Sequence, residues 1–267
     1  MAIDSTVEKA ENAWLMSKKK IVLGVIPVRY NSTRLPGKPL LDICGKPLVQ
    51  RMYEVASLST LLDDLMVATD DQRVFDAVQA FGGKVVMTSS EHTTGTDRIA
   101  EVAASYECDY VLNIQGDEPL LVPEIIDEVI ISLVTDKKQT MTTSSSLITD
   151  QSRCANPSAV KVVVDTEGFA MLFSRAPIPY PRNEEYHAMY EHIGIFGYRK
   201  DFLFKYVTLP NTPLSLTESL EQLKAMENGY PVKVIQTKYP YRSPSVKTQA
   251  DLEKIREIFA NGNGNGF

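Results

Sequence analysis

An α/β fold with a mainly parallel, doubly wound sheet is the class this sequence predicts, and two observations predict it. Short apolar runs rich in Val and Ile ("IVLGVIPV", "LMVAT", "KVVMT", "YVLNIQ") alternate with segments of helical period ("GKPLVQRMYEVASL", "QRVFDAVQAFGG", "GTDRIAEVAASY"). That alternation is the signature of repeated βαβ units. Polar, turn-rich segments also follow two of the runs directly: "IPVRYNSTRLPGKPL" extends "IVLGV", and "NIQGDEP" closes "YVLNIQ". In an open α/β sheet the carboxyl ends of the strands face the ligand, so these segments lie where a ligand would bind.

In chain order, residues 1–19 lack the apolar core of a signal peptide and carry their basic run last, so they predict a partly disordered extension. A single domain is expected over 20–260, with the run before Arg29 as its first strand. Pro47 suits a first helical turn and Gly82-Gly83 a helix end. After "EPLLVPEIIDEVIISLV" the pattern changes. "AVKVVVDTEGFAMLFSR" predicts two strands joined by the turn Asp165 to Gly168, and "HIGIFGYR" a further strand. These form an expected smaller β-rich insertion at about 155–200. One helix over "SLTESLEQLKAMENG", a strand "PVKVIQT" and a last helix "ADLEKIREIF" complete the domain. The Gly- and Asn-rich end, 261–267, predicts a disordered tail.

With 267 residues, 43% hydrophobic and 23% charged, the chain can bury a full core. A formal net charge of -6 argues against general nucleic-acid or membrane-surface binding, which needs a basic excess. No apolar stretch approaches the roughly 20 residues that span a bilayer. Cys44, Cys108 and Cys154 are far apart and form no CxxC pair, which fits a reducing cytoplasm better than a disulfide framework or a zinc site.

The positive charge of the opening segment is therefore local. Arg29, Arg34 and Lys38 suit phosphate oxygens, Gly37 permits close backbone approach, and Pro27, Pro36 and Pro39 restrict the loop. A triphosphate is the natural guest. The segment is not a P-loop, because Ser32 and Pro39 stand where that pattern needs Gly and Ser or Thr, and no GxGxxG follows the strand. An ordinary basic surface loop is the competing reading. Asp117, in "NIQGDEP", would face the same crevice as a hard ligand for Mg²⁺, an ion usually held by one or two carboxylates with phosphate oxygens and water. Turn chemistry alone would equally explain Gly116-Asp117-Glu118-Pro119.

Six blocks, "IPVRYNSTRLPGKPL", "GTDR", "NIQGDEP", "LFSRAPIP", "HIGIFGYR" and "LEQLKAMENG", in this order over roughly residues 20 to 258, closely resemble the 3-deoxy-manno-octulosonate (Kdo) cytidylyltransferases, or CMP-Kdo synthetases. The resemblance implies a nucleotidyltransferase-type fold and a homodimer formed through the β-rich insertion. It implies the reaction of CTP with Kdo to CMP-Kdo and pyrophosphate, in the service of lipopolysaccharide synthesis. Carried onto this sequence, it places Arg29, Arg34 and Lys38 on the CTP phosphates, with Ser32 in the same loop, and Asp117 on magnesium. Arg29, Lys38 and Asp117 are then the catalytic set. The neighbourhoods of Pro27, Arg98 and Gln115 would recognise cytosine and ribose, and Arg175, His192, Tyr198, Glu221 and Gln222 would hold the sugar acid. An interior or dimer-contact histidine is an equal reading of His192.

One segment departs from the family. Where it carries a second metal-binding carboxylate before the last helix, this chain reads "SVKTQADL", with Lys247 in place of the acid and Asp251 about a turn later. Three functions stay open on the sequence: an active Kdo cytidylyltransferase, a related enzyme for another nucleotide or another α-keto sugar acid, and a weakened CTP-binding homologue.

Overall fold

In the computed structural model the described residues are 20–31, 35–136, 138–241 and 245–261. The extension 1–19, Ser32 and Arg34 of the opening loop, and the tail from 262 lie outside them. In chain order the elements are β1 (Val22–Val28), β2 (Asp42–Ile43), β3 (Lys46–Pro47), α1 (Leu48–Ala56), β4 (Asp64–Thr69), α2 (Gln72–Ala80), β5 (Val85–Met87), α3 (Gly95–Ala104), β6 (Tyr110–Ile114) and α4 (Pro123–Thr135). Then come β7 (Met141–Leu147), β8 (Lys161–Val164), β9 (Ala170–Ser174), β10 (Tyr190–Arg199), α5 (Lys200–Thr208), α6 (Pro213–Glu218), α7 (Glu221–Glu227), β11 (Lys233–Gln236) and α8 (Gln249–Ala260). The chain divides into two compact units, one of Ile21–Asp127 with the chain from Tyr241 onward, the other of Glu128–Pro240.

The first unit is the parallel one. Its strands run in the order β6-β1-β4-β5, every neighbouring pair parallel. Val22, Leu23, Val25 and Ile26 of β1 are wholly buried, as an unbroken apolar run must be when helices cover both faces of a parallel sheet. The chain moves outward from β1 to β4 and β5, then returns to place β6 on the other side of β1. That reversal opens a crevice beyond the carboxyl ends of β1 and β6.

Side-chain caps start the helices. Asp71 accepts from the Arg73 N–H at 3.0 Å to begin α2, and reciprocal Thr94–Asp97 and Thr248–Asp251 capping boxes begin α3 and α8. Gly82, at φ 81°, ends α2: its N–H reaches the Gln79 carbonyl while that of Gly83 reaches Val78, the paired bonds of a Schellman motif. Leu252, Ile255 and Phe259, on one face of α8, are buried. Arg256 Nε donates to the Asp42 carbonyl at 2.9 Å, and the Arg51 guanidinium lies 4.6 Å from the Phe259 ring centre. The last helix is thus locked to the β2–β3 hairpin and α1.

In the second unit β7 pairs antiparallel with β10 and parallel with β11. The strands β8 and β9 form the hairpin that the sequence predicts, with Gly168 at φ 80° and the Asp165 carboxylate accepting from the N–H groups of Glu167 and Phe169. One expectation is corrected: "SLTESLEQLKAMENG" is not a single helix. It breaks into α6 and α7 at Ser219, which sits at φ 50° in the left-handed region. The carboxylate of Glu218, the last residue of α6, is drawn to Ser174 Oγ at 2.6 Å and the Arg175 N–H at 2.9 Å on the end of β9.

Candidate active site

Beyond the ends of β1 and β6 lies a cleft of ≈ 220 Å³ lined by Pro27, Arg29, Asn31, Lys38, Gln115 and Asp117, among others. At its centre Lys38 Nζ donates to Asp117 Oδ2 at 2.7 Å, and each side chain keeps 20% of its surface exposed. Both partners stand on fixed backbone. Gly37, at φ 69°, donates its N–H to the Tyr30 carbonyl at 3.0 Å, and Lys38 opens a short 3-10 turn with Pro39 behind it. The Asp117 carbonyl accepts the Val246 N–H at 2.7 Å, which ties this loop to the segment before α8. Gly116 is required by close approach: a Cβ there would stand 2.6 Å from Val28 Cγ1 and 3.3 Å from the Pro27 carbonyl oxygen.

A second layer orients the first. Arg29 donates to the His92 carbonyl at 2.6 Å, and the His92 ring pairs with Glu101. The Ser89 N–H and then His92 hold the Glu101 carboxyl below the usual carboxylate range. Arg98, an expected nucleotide-side residue, is wholly buried; its guanidinium donates to Asp70 at 2.7 Å and to Thr88 Oγ1. Through Asp70 it braces the carboxyl end of β4. Asp70, His92 and Glu101 escaped the sequence reading, although Asp70 follows the predicted strand "LMVAT" and could have been flagged by the strand-end rule.

The five expected sugar-side residues all belong to the second unit. The Arg175 guanidinium is spent on backbone, donating to the carbonyls of Glu218 at 2.7 Å, Pro157 at 2.9 Å and Ser219 at 3.3 Å. It stitches the end of β9 to the α6–α7 break. His192 Nε2 lies 2.8 Å from Thr143 Oγ1, with its ring edge-on to Phe173 at 5.2 Å. Tyr198 is buried against Tyr206, whose hydroxyl donates to the Glu221 carbonyl at 2.6 Å. Gln222, on α7, is 3% exposed, and its Nε2 has no hydrogen-bond partner among the described residues. A buried, unsatisfied amide donor is costly in an otherwise packed unit, and a ligand acceptor would relieve it.

No group of three or more His, Cys, Asp or Glu able to hold a metal occurs among the described residues. The donor set still fits magnesium of one kind. Asp117 offers a single hard carboxylate in a cleft that also holds Arg29 and Lys38, which suits an ion brought in mostly by phosphate oxygens and water. Asp251 is engaged elsewhere: its carboxylate accepts from the backbone N–H groups of Lys247 and Thr248, at 3.2 and 2.8 Å, as part of the α8 cap.

Comparison with known proteins identifies the family. A family model described as cytidylyltransferase matches residues 23–238. The 3-deoxy-manno-octulosonate cytidylyltransferase of Solibacter usitatus is 45% identical over 250 residues, 92% of this chain and 98% of its own. That of Escherichia coli is 45% identical over 245 residues, 92% of this chain and 97% of its own. Among solved structures, a CMP:2-keto-3-deoxy-manno-octonic acid synthetase complexed with CTP superposes with a TM-score of 0.86 at 44% identity, covering 91% of this chain and 99% of the other. A cytidylyltransferase from Leptospira borgpetersenii, 17% identical with a TM-score of 0.63 over 91% of this chain and 88% of its own, shares the fold. The chain belongs to the cytidylyltransferase family, within it to the 3-deoxy-manno-octulosonate cytidylyltransferases, and is a nucleotidyltransferase.

Proposed function

We propose that this protein transfers CMP from CTP to Kdo, giving CMP-Kdo and pyrophosphate for lipopolysaccharide synthesis in the cytoplasm, and that it works as a homodimer. The observation that carries the reading is the meeting of Lys38 and Asp117 in one cleft at the switch point of a parallel sheet, with Arg29 beside them. Relatives that are 45% identical and matched over 97–98% of their own length support Kdo as the acceptor.

The Kdo anomeric hydroxyl oxygen attacks the α-phosphorus of CTP, and the bond to the bridging oxygen breaks as pyrophosphate leaves. Little covalent help is needed, so positioning and charge carry the catalysis. Arg29 and Lys38 draw the β- and γ-phosphates into line and disperse charge on the leaving group. Gln115 and Pro27 line the same cleft and would take the nucleoside. Asp117 would hold magnesium, which when bound would supply electrophilic stabilisation of the phosphates and lower the pKa of the attacking hydroxyl.

Lys247 belongs to the same proposal. It follows Val246, whose N–H is bonded to the Asp117 carbonyl, and the Asp251 carboxylate is taken up by the α8 cap; on this reading one magnesium would suffice, with Lys247 supplying charge toward the anions. A pyrophosphate-release assay with CTP, Kdo and magnesium tests the whole reading. Pyrophosphate should be released with CTP and not with ATP, GTP or UTP, and the CTP product should be CMP-Kdo. Release with another α-keto sugar acid but not Kdo would reassign the acceptor, and binding of CTP without release would make the chain a nucleotide-binding homologue.

A further inference from the structure

The ion pair at the centre of the cleft has a consequence for the order in which ligands enter. Lys38 Nζ sits 2.7 Å from Asp117 Oδ2, on the carboxylate that a divalent ion would need. The pair is not an incidental surface contact between two mobile chains. Lys38 issues from a turn pinned by the left-handed Gly37, by Pro39 and by the Gly37 N–H to Tyr30 carbonyl bond. Asp117 issues from a loop held by Gly116, packed on Val28, and by the Val246 N–H to Asp117 carbonyl bond. Two fixed backbones thus bring an ammonium and a carboxylate together at a site only one-fifth exposed, where the attraction is screened less than in open water.

A bare divalent cation approaching Asp117 therefore meets a positive charge already seated on its ligand. Binding requires the ammonium to leave, with no anion to receive it, or the two cations to share one carboxylate. A triphosphate changes this balance. Its oxygens offer Lys38 stronger, more highly charged acceptors, and Lys38 can turn to them and uncover Asp117 as the metal arrives on the same phosphates. We infer that Lys38 is a placeholder cation which masks the metal ligand until nucleotide draws it away, so that the divalent ion enters with the nucleotide and not before it. Linkage makes the effect reciprocal: the ion must strengthen nucleotide binding by the factor that nucleotide strengthens ion binding.

The inference rests on the reading of Asp117 as the metal ligand, and the test separates the two. Mn²⁺, observed by its paramagnetic resonance signal, replaces Mg²⁺ as the probe, and no turnover is needed. Four nucleotide-free proteins are titrated: wild type, Lys38→Met, Asp117→Asn and the double variant. Masking predicts that Lys38→Met binds one Mn²⁺ at least tenfold more tightly than wild type, and that adding Asp117→Asn abolishes the gain. Lys38→Gln, which keeps a neutral polar group of similar reach, should repeat the Lys38→Met result if that variant is poorly folded. Equal Mn²⁺ affinity in wild type and both Lys38 variants overturns the inference. A ternary complex of Mn²⁺, CTP and wild-type protein that is lost in Asp117→Asn supports the underlying assignment whatever the Lys38 variants do. Its survival in Asp117→Asn removes Asp117 as the ligand, and the placeholder with it.

Discussion

At the scale of single residues, the cleft joins a cation and an anion whose separate removal should have different signatures. Lys38→Ala is expected to lower turnover with CTP and Kdo at least tenfold, because a cation aimed at charge developing in the transition state is worth several kcal/mol. Steady-state kinetics on the purified variant checks this, and normal kcat with normal KM would remove Lys38 from the mechanism. Asp117→Asn keeps the backbone bond to Val246 and hence the fold, and should abolish turnover, since a neutral amide is a poor ligand for a hard divalent ion. A third residue tests electrostatics away from the cleft. The Tyr106 hydroxyl donates to Asp64 at 2.7 Å, and that bond together with burial pushes its pKa up to about 12. Because the folded value lies above the unfolded one of about 10, the stabilisation is complete below pH ~10 and is lost as pH rises through 12. Ultraviolet titration should show a late tyrosinate phase near pH 12, and Tyr106→Phe should reduce that phase by one tyrosine.

At the scale of elements, the fold was legible wherever burial wrote itself in apolar residues. The four Val- and Ile-rich runs became β1, β4, β5 and β6, and the "DTEG" hairpin formed as its turn chemistry demands. The strand β7 was not legible. Its sequence, "MTTSSSL", is polar, yet Thr142, Thr143, Ser144 and Ser145 are all buried, held by cross-strand pairing to β10 and β11 and by hydroxyl bonds such as Thr143 Oγ1 to the Ile195 carbonyl at 2.6 Å. The break between α6 and α7 was hidden as well, because helical propensity says nothing of Glu218 being claimed by Ser174 and Arg175, more than forty residues away in sequence. The same limit applies to the site. Lys38 and Asp117 stood out as charges at strand ends, whereas the Arg98–Asp70 pair and the Val246 bond to Asp117 depend on the folded chain. Caps, by contrast, are local, and their cost can be stated. Thr248→Ala removes the hydroxyl that accepts from the Asp251 N–H and should cost about 1 kcal/mol of stability. Urea unfolding would read this as a lower midpoint at unchanged slope; an unchanged midpoint would show that the cap contributes nothing.

At the scale of the whole molecule, the unit that holds Lys38 and Asp117 is assembled from two stretches of chain separated by Glu128–Pro240. Val246, Leu252, Ile255 and Phe259 from the later stretch are buried. Deleting residues 241–267 would therefore expose an apolar face and withdraw the Val246 bond from Asp117. The truncated protein is expected to be poorly soluble and protease-sensitive from Ile21 to Asp127, and to bind CTP far more weakly than the full chain. A soluble truncation with full affinity would show that the parallel unit closes without its last helix.

This discontinuity also sets a clock during protein synthesis. The loop that carries Arg29 and Lys38 is made before the 113 residues of Glu128–Pro240, and the helix that completes its unit is made after them. At elongation rates of about 5–20 residues per second that gap lasts roughly 6 to 23 seconds. Throughout it, the β2–β3 hairpin and α1 lack the helix that packs on them, and the nascent chain offers that surface to chaperones. A ribosome that stalls before the Val246 codon leaves a polypeptide that has Arg29, Lys38 and Asp117 but not the backbone bond from Val246 to Asp117, so an interrupted message makes a clearance problem and not a working cleft.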